Sequence, residues 1–241
     1  MTDFFTALPG ETAAPVPDGP IVCGATDAMR RIHRVFLWAY AEAPGLARSA
    51  SAGDTVRSGY VADVLRNFDK LLHVHHEGED LLLYPKLRER SPACALHVDQ
   101  MLAHHAQVTA MLDELAPIRD EWGRAADATL GDTLAGHYER LNEVLKVHLR
   151  REVTEVTPAV DRLFTDKEVQ AMAKHGSDAF EIKVMLGYLG MVFATNPPGE
   201  REAFAMDLPL YVRLGYKVVG RRLYRQQYAT LFPGREIPAT L

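Results

Sequence analysis

Apolar residues recur at helical spacing along most of the chain, so the pattern predicts amphipathic helices. Thr26 or Asp27 can cap the first helix, and the stretch from Pro44 to Gly53 interrupts it. Its apolar face comprises Met29, His33, Phe36, Leu37 and Tyr40. A second helix begins near Asp54, and its face comprises Val61, Val64, Leu65, Phe68, Leu71, Leu72, His75, Glu79, Leu82 and Leu83.

Two further helices follow the same spacing. The third carries Val98, Met101, Leu102, His105, Val108, Leu112 and Leu115. The fourth carries Leu134, Leu141, Val144, Leu145, His148, Glu152 and Val156. Pro85 bends or ends the second helix and Pro158 follows the fourth, because proline lacks a backbone donor and clashes with an earlier carbonyl. Four such helices with fairly short connections predict an all-α fold, an antiparallel up-down four-helix bundle.

The regions outside the bundle have a different composition. Residues 1–24 contain four prolines and predict an extended arm before the bundle of residues 25–165. Residues 166–241 predict additional helices: a short one to about Lys174, an apolar one over 178–195, and a basic one over 210–232 after a break at 196–199. The basic helix has an apolar face of Val212, Tyr216, Val219 and Leu223. We expect this extension to pack on the bundle and to restrict access to one end of it.

Composition narrows the class of protein. Apolar residues make up 47% of the 241 residues and the net charge is −5, so neither disorder nor a nucleic-acid partner is expected. The longest apolar stretch, 184–194, is too short to span a membrane. The N-terminus lacks the features of a secretory signal. Two cysteines, Cys23 and Cys94, in no paired pattern favour a reducing compartment, the cytoplasm, whereas ten histidines call for an explanation.

The histidines form an internal repeat. Each half of the chain has a histidine, a second histidine 42 or 43 residues later, then a glutamate four residues on and a proline ten residues on. In the first half these are His33, His75, Glu79 and Pro85. In the second half they are His105, His148, Glu152 and Pro158. Residues four apart share a helix face, so two such hairpins direct four imidazoles and two carboxylates into the middle of the bundle.

A buried carboxylate without a partner is costly, so this group of side chains predicts bound cations. Nitrogen and oxygen ligands without thiolate suit iron or manganese, and a carboxylate can bridge two ions. Structural zinc more typically uses cysteine and closes at four ligands. Six protein ligands also leave coordination positions for a small molecule.

Spacing alone leaves the register open in two places. His73 with Glu77 and His76 with Asp80 also have the His-x3-carboxylate spacing. The proline offset and the apolar stripe favour His75, with His76 as a minor alternative. His73 shares a predicted solvated face with Arg66, Asp69 and Lys70. His105 is favoured over His104 because Met101, Val108 and Leu112 are in phase with it.

The other polar candidates receive simpler interpretations. His97, His137 and His175 are predicted to take no part in metal binding. Tyr40 could line the pocket, although a core position is favoured. Glu77 and Asp80 are predicted to face solvent or to orient ligand imidazoles through hydrogen bonds.

The stretches "HHEGEDLLLYP" and "HLRREVTEVTP" resemble the hemerythrin-like (HHE) cation-binding domain, and the resemblance covers about residues 25–165. It implies a four-helix bundle around a non-haem di-iron centre with an oxo or hydroxo bridge between two iron ions. By the same resemblance, His33 and His75 serve one iron and His105 and His148 the other. Glu79 and Glu152 bridge them.

At two positions the sequence differs from the oxygen-carrying members of the hemerythrin-like family. Met101 stands where those members have a second histidine on the third helix, and Glu152 replaces an aspartate one residue further along. The chain therefore resembles the four-histidine, two-glutamate relatives. We expect it to bind or turn over O2, hydrogen peroxide or NO, with peroxide- or NO-directed redox activity. The alternatives are a non-catalytic O2 or iron sensor, and a metal-free structural bundle.

Overall fold

The computed structural model describes residues 4–241, and helices dominate it. The bundle region contains α1 (Ala25–Ala47), α2 (Thr55–Gly78), α3 (Tyr84–Arg90), α4 (Ala95–Ala125), α5 (Ala128–Arg151) and α6 (Thr157–Leu163). Two π-helical turns, π1 (Glu79–Leu83) and π2 (Glu152–Val156), join α2 to α3 and α5 to α6. A 3-10 turn, Pro92–Cys94, precedes α4, and α7 (Asp166–Asp178) follows α6.

The long helices form the bundle that the apolar pattern predicts. α1 packs against α2 and α5, and α4 packs against the same two helices, so neighbours in the chain are neighbours in the bundle. Side chains such as Leu65, Leu72, Leu141 and Leu145 are fully buried between them. Burial of these apolar stripes is the main stabilising contribution, because isolated helices are marginal in water. The all-α, antiparallel four-helix bundle is confirmed.

The helix ends differ from the predicted ones at α1. Gly24 precedes the helix, while the backbone amide of Thr26 donates to the carboxylate of Asp161 at 3.0 Å. Pro44 lies inside α1, which continues to Ala47 rather than stopping at the proline. α2 begins as predicted: the side chain of Asp54 accepts a hydrogen bond from the amide of Arg57, which satisfies a free helix-end donor.

Each proline of the repeat follows a widened turn rather than ending its helix. Pro85 and Pro158 stand at the beginning of α3 and α6, just after π1 and π2. Proline lacks an amide hydrogen, and its ring clashes with the carbonyl four residues earlier in a regular α-helix. The wider π turn accommodates the ring, and the helical course continues to Arg90 and Leu163.

The N-terminal arm lies along the bundle. The amide of Ala14 donates to the carbonyl of Glu155 at 2.8 Å, and that of Val22 donates to the carbonyl of Asp161 at the same distance. Arg150 forms an ion pair with Glu11. The arm therefore has fixed backbone contacts with π2 and α6. Residues 1–3 of the predicted arm lie outside the described residues.

The chain divides into two compact units, one extending to Gly176 and the other spanning Ser177–Leu241. Most of α7 thus belongs to the first unit, beyond the predicted boundary at residue 165. The second unit contains α8 (Ile182–Thr195), α9 (Pro198–Asp207), α10 (Leu210–Gly215), the π-helical turn π3 (Tyr216–Gly220) and α11 (Arg221–Leu231). The packing of this extension on the bundle stays a prediction.

Within the second unit, the buried face of the basic helix differs from the predicted one. Tyr216 is buried as expected, but Val219 is exposed, and Tyr224 and Tyr228 are buried instead. The turn π3 changes the helical phase, so residues beyond it no longer follow the spacing of 3.6. Over the part of the chain that the structure describes, no helix has both the length and the apolar character needed to cross a membrane.

Candidate metal centre

One group of potential ligands comes from both halves of the repeat. His33 on α1, His75 on α2, Glu79 at the start of π1 and Glu152 at the start of π2 each offer an atom within 4.8 Å of the others. His33, Glu79 and Glu152 are fully buried, and His75 is nearly so. The helices therefore bring two imidazoles and two carboxylates together inside the bundle.

A second group consists of three histidines. His76 on α2, His105 on α4 and His148 on α5 are all buried, and their ligand atoms also lie within 4.8 Å of one another. The ring of His105 is 4.8 Å from that of His148, with the planes nearly perpendicular. Three buried imidazoles in this arrangement offer a second group of nitrogen ligands for a cation.

The two glutamates of the first group also face the second group. Glu79 Oε1 is 3.1 Å from Nε2 of His75, whereas its Oε2 is 3.5 Å from Nε2 of His105. Glu152 Oε2 is 3.3 Å from Nε2 of His33 and 4.0 Å from Nε2 of His148. Each carboxylate thus faces a histidine of both groups.

Hydrogen bonds outside the centre orient two of the imidazoles. Nδ1 of His33 donates to the carbonyl of Leu149 at 3.0 Å, and Nδ1 of His105 donates to Oδ1 of Asp80 at 2.7 Å. In each case the proton sits on Nδ1, so the lone pair of Nε2 points to the centre, as metal-binding histidines require. Asp80 is therefore an orienting partner, one of its two predicted roles.

Several polar atoms of the centre are buried without a hydrogen-bond partner among the described residues. These are both carboxylate oxygens of Glu79, Oε2 of Glu152, Nε2 of His76, Nε2 of His105 and both ring nitrogens of His148. Native proteins rarely leave buried polar atoms unpaired, because desolvation is costly. Their convergence in one place fits a bound cation, which would accept lone pairs from the carboxylate oxygens and from one nitrogen of each ring.

The electrostatics of the centre suit positive ions. Burial raises the pKa of Glu79 well above its ordinary range, and the nearby charge of Glu152 adds to this effect. Burial lowers the pKa of His75 to about 3, so its ring is neutral at physiological pH. Two closely spaced buried carboxyl groups beside this neutral ring favour a bound cation.

All six residues predicted from the repeat lie in the two groups, and His76 joins them. The spacing predicts His75, with His76 as a minor alternative, but both rings face the centre. The reason is that α2 packs between α1 and α4. His75 contacts Phe36 of α1 with ring centroids 5.1 Å apart, while the next residue, His76, stacks on His105 of α4. The only sign of this arrangement in the sequence is that His75 and His76 are adjacent.

The other candidates lie outside the two groups. His73 is exposed, and half-buried His104 has its ring 5.6 Å from that of His148. His97 contacts the carbonyl of Thr12 in the arm. His175 pairs with Glu77 at 3.0 Å, which joins α7 to α2.

One predicted surface residue is buried. Asp69, assigned to the solvated face of α2, is only 7% exposed and forms an ion pair with Arg119 of α4. Tyr40 and Tyr138 donate hydrogen bonds to its two oxygens, at 3.1 and 2.8 Å. The assignment was wrong because spacing on α2 does not show that α4 and α5 supply partners. Tyr40 is accordingly a core residue.

Two aromatic side chains contact His33 and His75, the two ligand candidates from the first half of the repeat. Phe5 of the arm is buried, and its ring lies 6.2 Å from that of His33. Phe36 of α1 is fully buried beside His75. These rings limit the access of water to the side of the centre that His33 and His75 form.

The comparison with known families agrees with the fold and the geometry. The family model for the hemerythrin HHE cation-binding domain matches residues 24–173, which is more than half of the chain. No match is found among curated proteins or among solved structures. The matched region includes the four long helices and every residue of the two ligand groups. The chain belongs to the hemerythrin HHE cation-binding domain family.

Proposed function

We propose that this centre holds two iron ions and that the protein binds or turns over O2, hydrogen peroxide or NO, with peroxide- or NO-directed redox activity. The observation that carries the proposal is the pair of adjacent ligand groups with a glutamate oriented toward both. A single structural ion would need only one such group. Two groups sharing carboxylates match the di-metal centres that helical bundles build from inward-facing Glu and His.

The distances support an assignment of each ligand. In this assignment His33 and His75 would hold one ion, and His105 and His148 would hold the other. Glu79 and Glu152 would serve both ions, since each has carboxylate oxygens 3.1–4.0 Å from imidazole nitrogens of both groups. The absence of thiolate from both groups favours iron over structural zinc.

Bound iron would supply coordination positions for the small ligand and the redox chemistry. The side chains of the protein provide the surroundings. The two carboxylates offset the charge of the ions, and the hydroxyl of Tyr84 donates a hydrogen bond to Oε1 of Glu152, with the two oxygens 2.5 Å apart. Phe5 and Phe36 form an apolar wall, which strengthens electrostatic interactions by excluding water.

The cysteines support a cytoplasmic location. Cys23 and Cys94 are both free thiols and both buried, which is typical of proteins in a reducing compartment. We therefore place the protein in the cytoplasm. Fractionation of the native cells would test this directly.

The test combines metal analysis with turnover. We expect about two irons per purified chain, a ferric near-ultraviolet absorption, and rapid O2 evolution or NO consumption when peroxide or NO is added. Glu79→Ala and His148→Ala should lose iron and turnover. Glu77→Ala is the matched control, because this carboxylate follows His73 at the same spacing but is exposed on α2. A chain without iron overturns the proposal, and reversible O2 binding without turnover would support the sensor instead.

A further inference from the structure

His76 is the one histidine of the two ligand groups that the internal repeat leaves out. It stands next to His75 on α2 and is only 3% exposed. Its Nε2 is buried and has no hydrogen-bond partner among residues 4–241. A buried imidazole nitrogen without a partner needs an explanation, because most buried polar atoms in proteins are paired.

The surroundings of His76 consist of other ligand candidates. Its ring stacks on that of His105, with centroids 4.0 Å apart and planes 9° from parallel. It meets the ring of His148 at 4.9 Å and nearly at right angles. The three residues offer nitrogens within 4.8 Å of one another, on three different helices.

Two histidines outside the ligand groups each form a hydrogen bond to another segment of the chain. A ring nitrogen of His97 contacts the carbonyl of Thr12 at 2.8 Å, and one of His175 contacts the carboxylate of Glu77 at 3.0 Å. Both rings connect one segment to another through a hydrogen bond. His76 has its Nε2 among imidazoles instead, where a shared cation would satisfy all three.

We propose that His76 is a metal-binding residue, which joins His105 and His148 so that the two metal positions have unequal sets of histidines. The inference rests on the proposed di-iron function and extends it by one residue. It also gives a physical role to a position on α2 that lies outside the repeat. The position of Met101, one turn from His105 on α4, is buried and offers no nitrogen.

The variant His76→Phe separates metal binding from packing. Phenylalanine keeps an aromatic ring to stack on His105 but has no nitrogen lone pair. We expect iron to fall from about two per chain to about one, with a changed near-ultraviolet ferric spectrum, while helical circular dichroism is retained. The control is His73→Phe, one turn earlier on the same helix and exposed, which should keep both irons and the wild-type spectrum.

A measurement on the wild-type protein makes the test independent of the variant's folding. In the cobalt(II)-loaded protein, each histidine ligand contributes one exchangeable, paramagnetically shifted imidazole N–H signal. Five such signals are expected, one for each histidine of the two groups, and four would overturn the role of His76.

The outcomes also distinguish the two proposals. Wild-type protein that takes up no pair of metal ions contradicts the proposed function itself. Wild-type and His76→Phe proteins that both hold two irons with identical spectra contradict only the assignment of His76. Loss of iron from His76→Phe, together with five N–H signals in the wild type, supports both.

Discussion

The hydroxyl of Tyr84 donates a hydrogen bond to Oε1 of Glu152 at 2.5 Å, deep in the bundle. The two residues belong to different halves of the repeat: Tyr84 directly follows π1, and Glu152 begins π2. Burial and the negative charge of Glu152 raise the pKa of Tyr84 well above its ordinary value, so the hydroxyl stays protonated. The widened turns thus bring a neutral donor to a carboxylate of the metal centre.

Replacement of this donor should be measurable. Tyr84→Phe keeps the ring but leaves Oε1 of Glu152 without its hydrogen bond. We expect the metal-free protein to lose about 1.5–3 kcal/mol of unfolding free energy, the typical contribution of a hydrogen bond to a charged group. Urea unfolding followed by circular dichroism measures the loss. Tyr211→Phe, at an exposed position, is the control, and equal stability of both variants would contradict the prediction.

The buried ion pair of Asp69 and Arg119 predicts a larger effect. Asp69→Ala leaves the guanidinium of Arg119 without its partner in the core, at an expected cost of about 3–5 kcal/mol. Asp63→Ala removes an exposed carboxylate that pairs with Arg66 on the same helix, and should cost less than about 1 kcal/mol. Chemical denaturation measures the loss of unfolding free energy in both variants. Similar costs for the two would show that the buried network contributes little.

The contact of α7 with α3 predicts a dependence of stability on pH. Hydrogen bonds from Arg90, the amide of Thr165 and Lys86 lower the pKa of Glu168 below its ordinary value of 4.5. The folded state therefore favours the ionised carboxyl, so its stabilisation is complete above pH 4.5 and is lost as the pH falls below that value. The ion pairs of Glu168 with Arg90 and Lys86 are partly exposed. We therefore expect them to contribute less than about 1 kcal/mol to the free energy of unfolding.

Glu168→Gln tests this dependence in the metal-free protein. The variant should be less stable than wild type at pH 7, and the difference should shrink in thermal unfolding at pH 3. Glu121→Gln, on the exposed surface of α4, should show no difference at either pH. A difference for Glu168→Gln that grows at low pH would contradict the assigned direction of the pKa.

A close contact within the second unit predicts intolerance of one glycine. A Cβ added at Gly190 of α8 would lie 2.5 Å from Cβ of Tyr224 on α11, so the helices would have to separate. Gly190→Ala should cost about 1–3 kcal/mol, as overpacked cores do. Gly199→Ala is the control, because nothing lies within 4 Å of its added Cβ. The measurement is the midpoint temperature of thermal unfolding of both variants. Equal midpoints would show that α8 and α11 separate without a loss of stability.

The sequence by itself determined the class of fold and the six residues of the repeat. Apolar residues at helical spacing need a buried face, and a histidine with a glutamate four residues later lies on one side of a helix. The position of each residue in the repeat therefore places it on a stripe that faces the core. No tertiary information is needed for that step.

Only the tertiary structure decided which neighbours each helix face meets. His76 and Asp69 both lie on α2, beside the predicted apolar stripe. The spacing predicts His76 only as a minor alternative ligand, and it predicts that Asp69 faces solvent. Each is buried because α4 packs on that side and supplies His105 and Arg119. The turn π3 similarly moved the buried face of the basic helix, because a widened turn changes the phase on which the periodic prediction rests. Packing between helices, rather than periodicity within one helix, decides these positions.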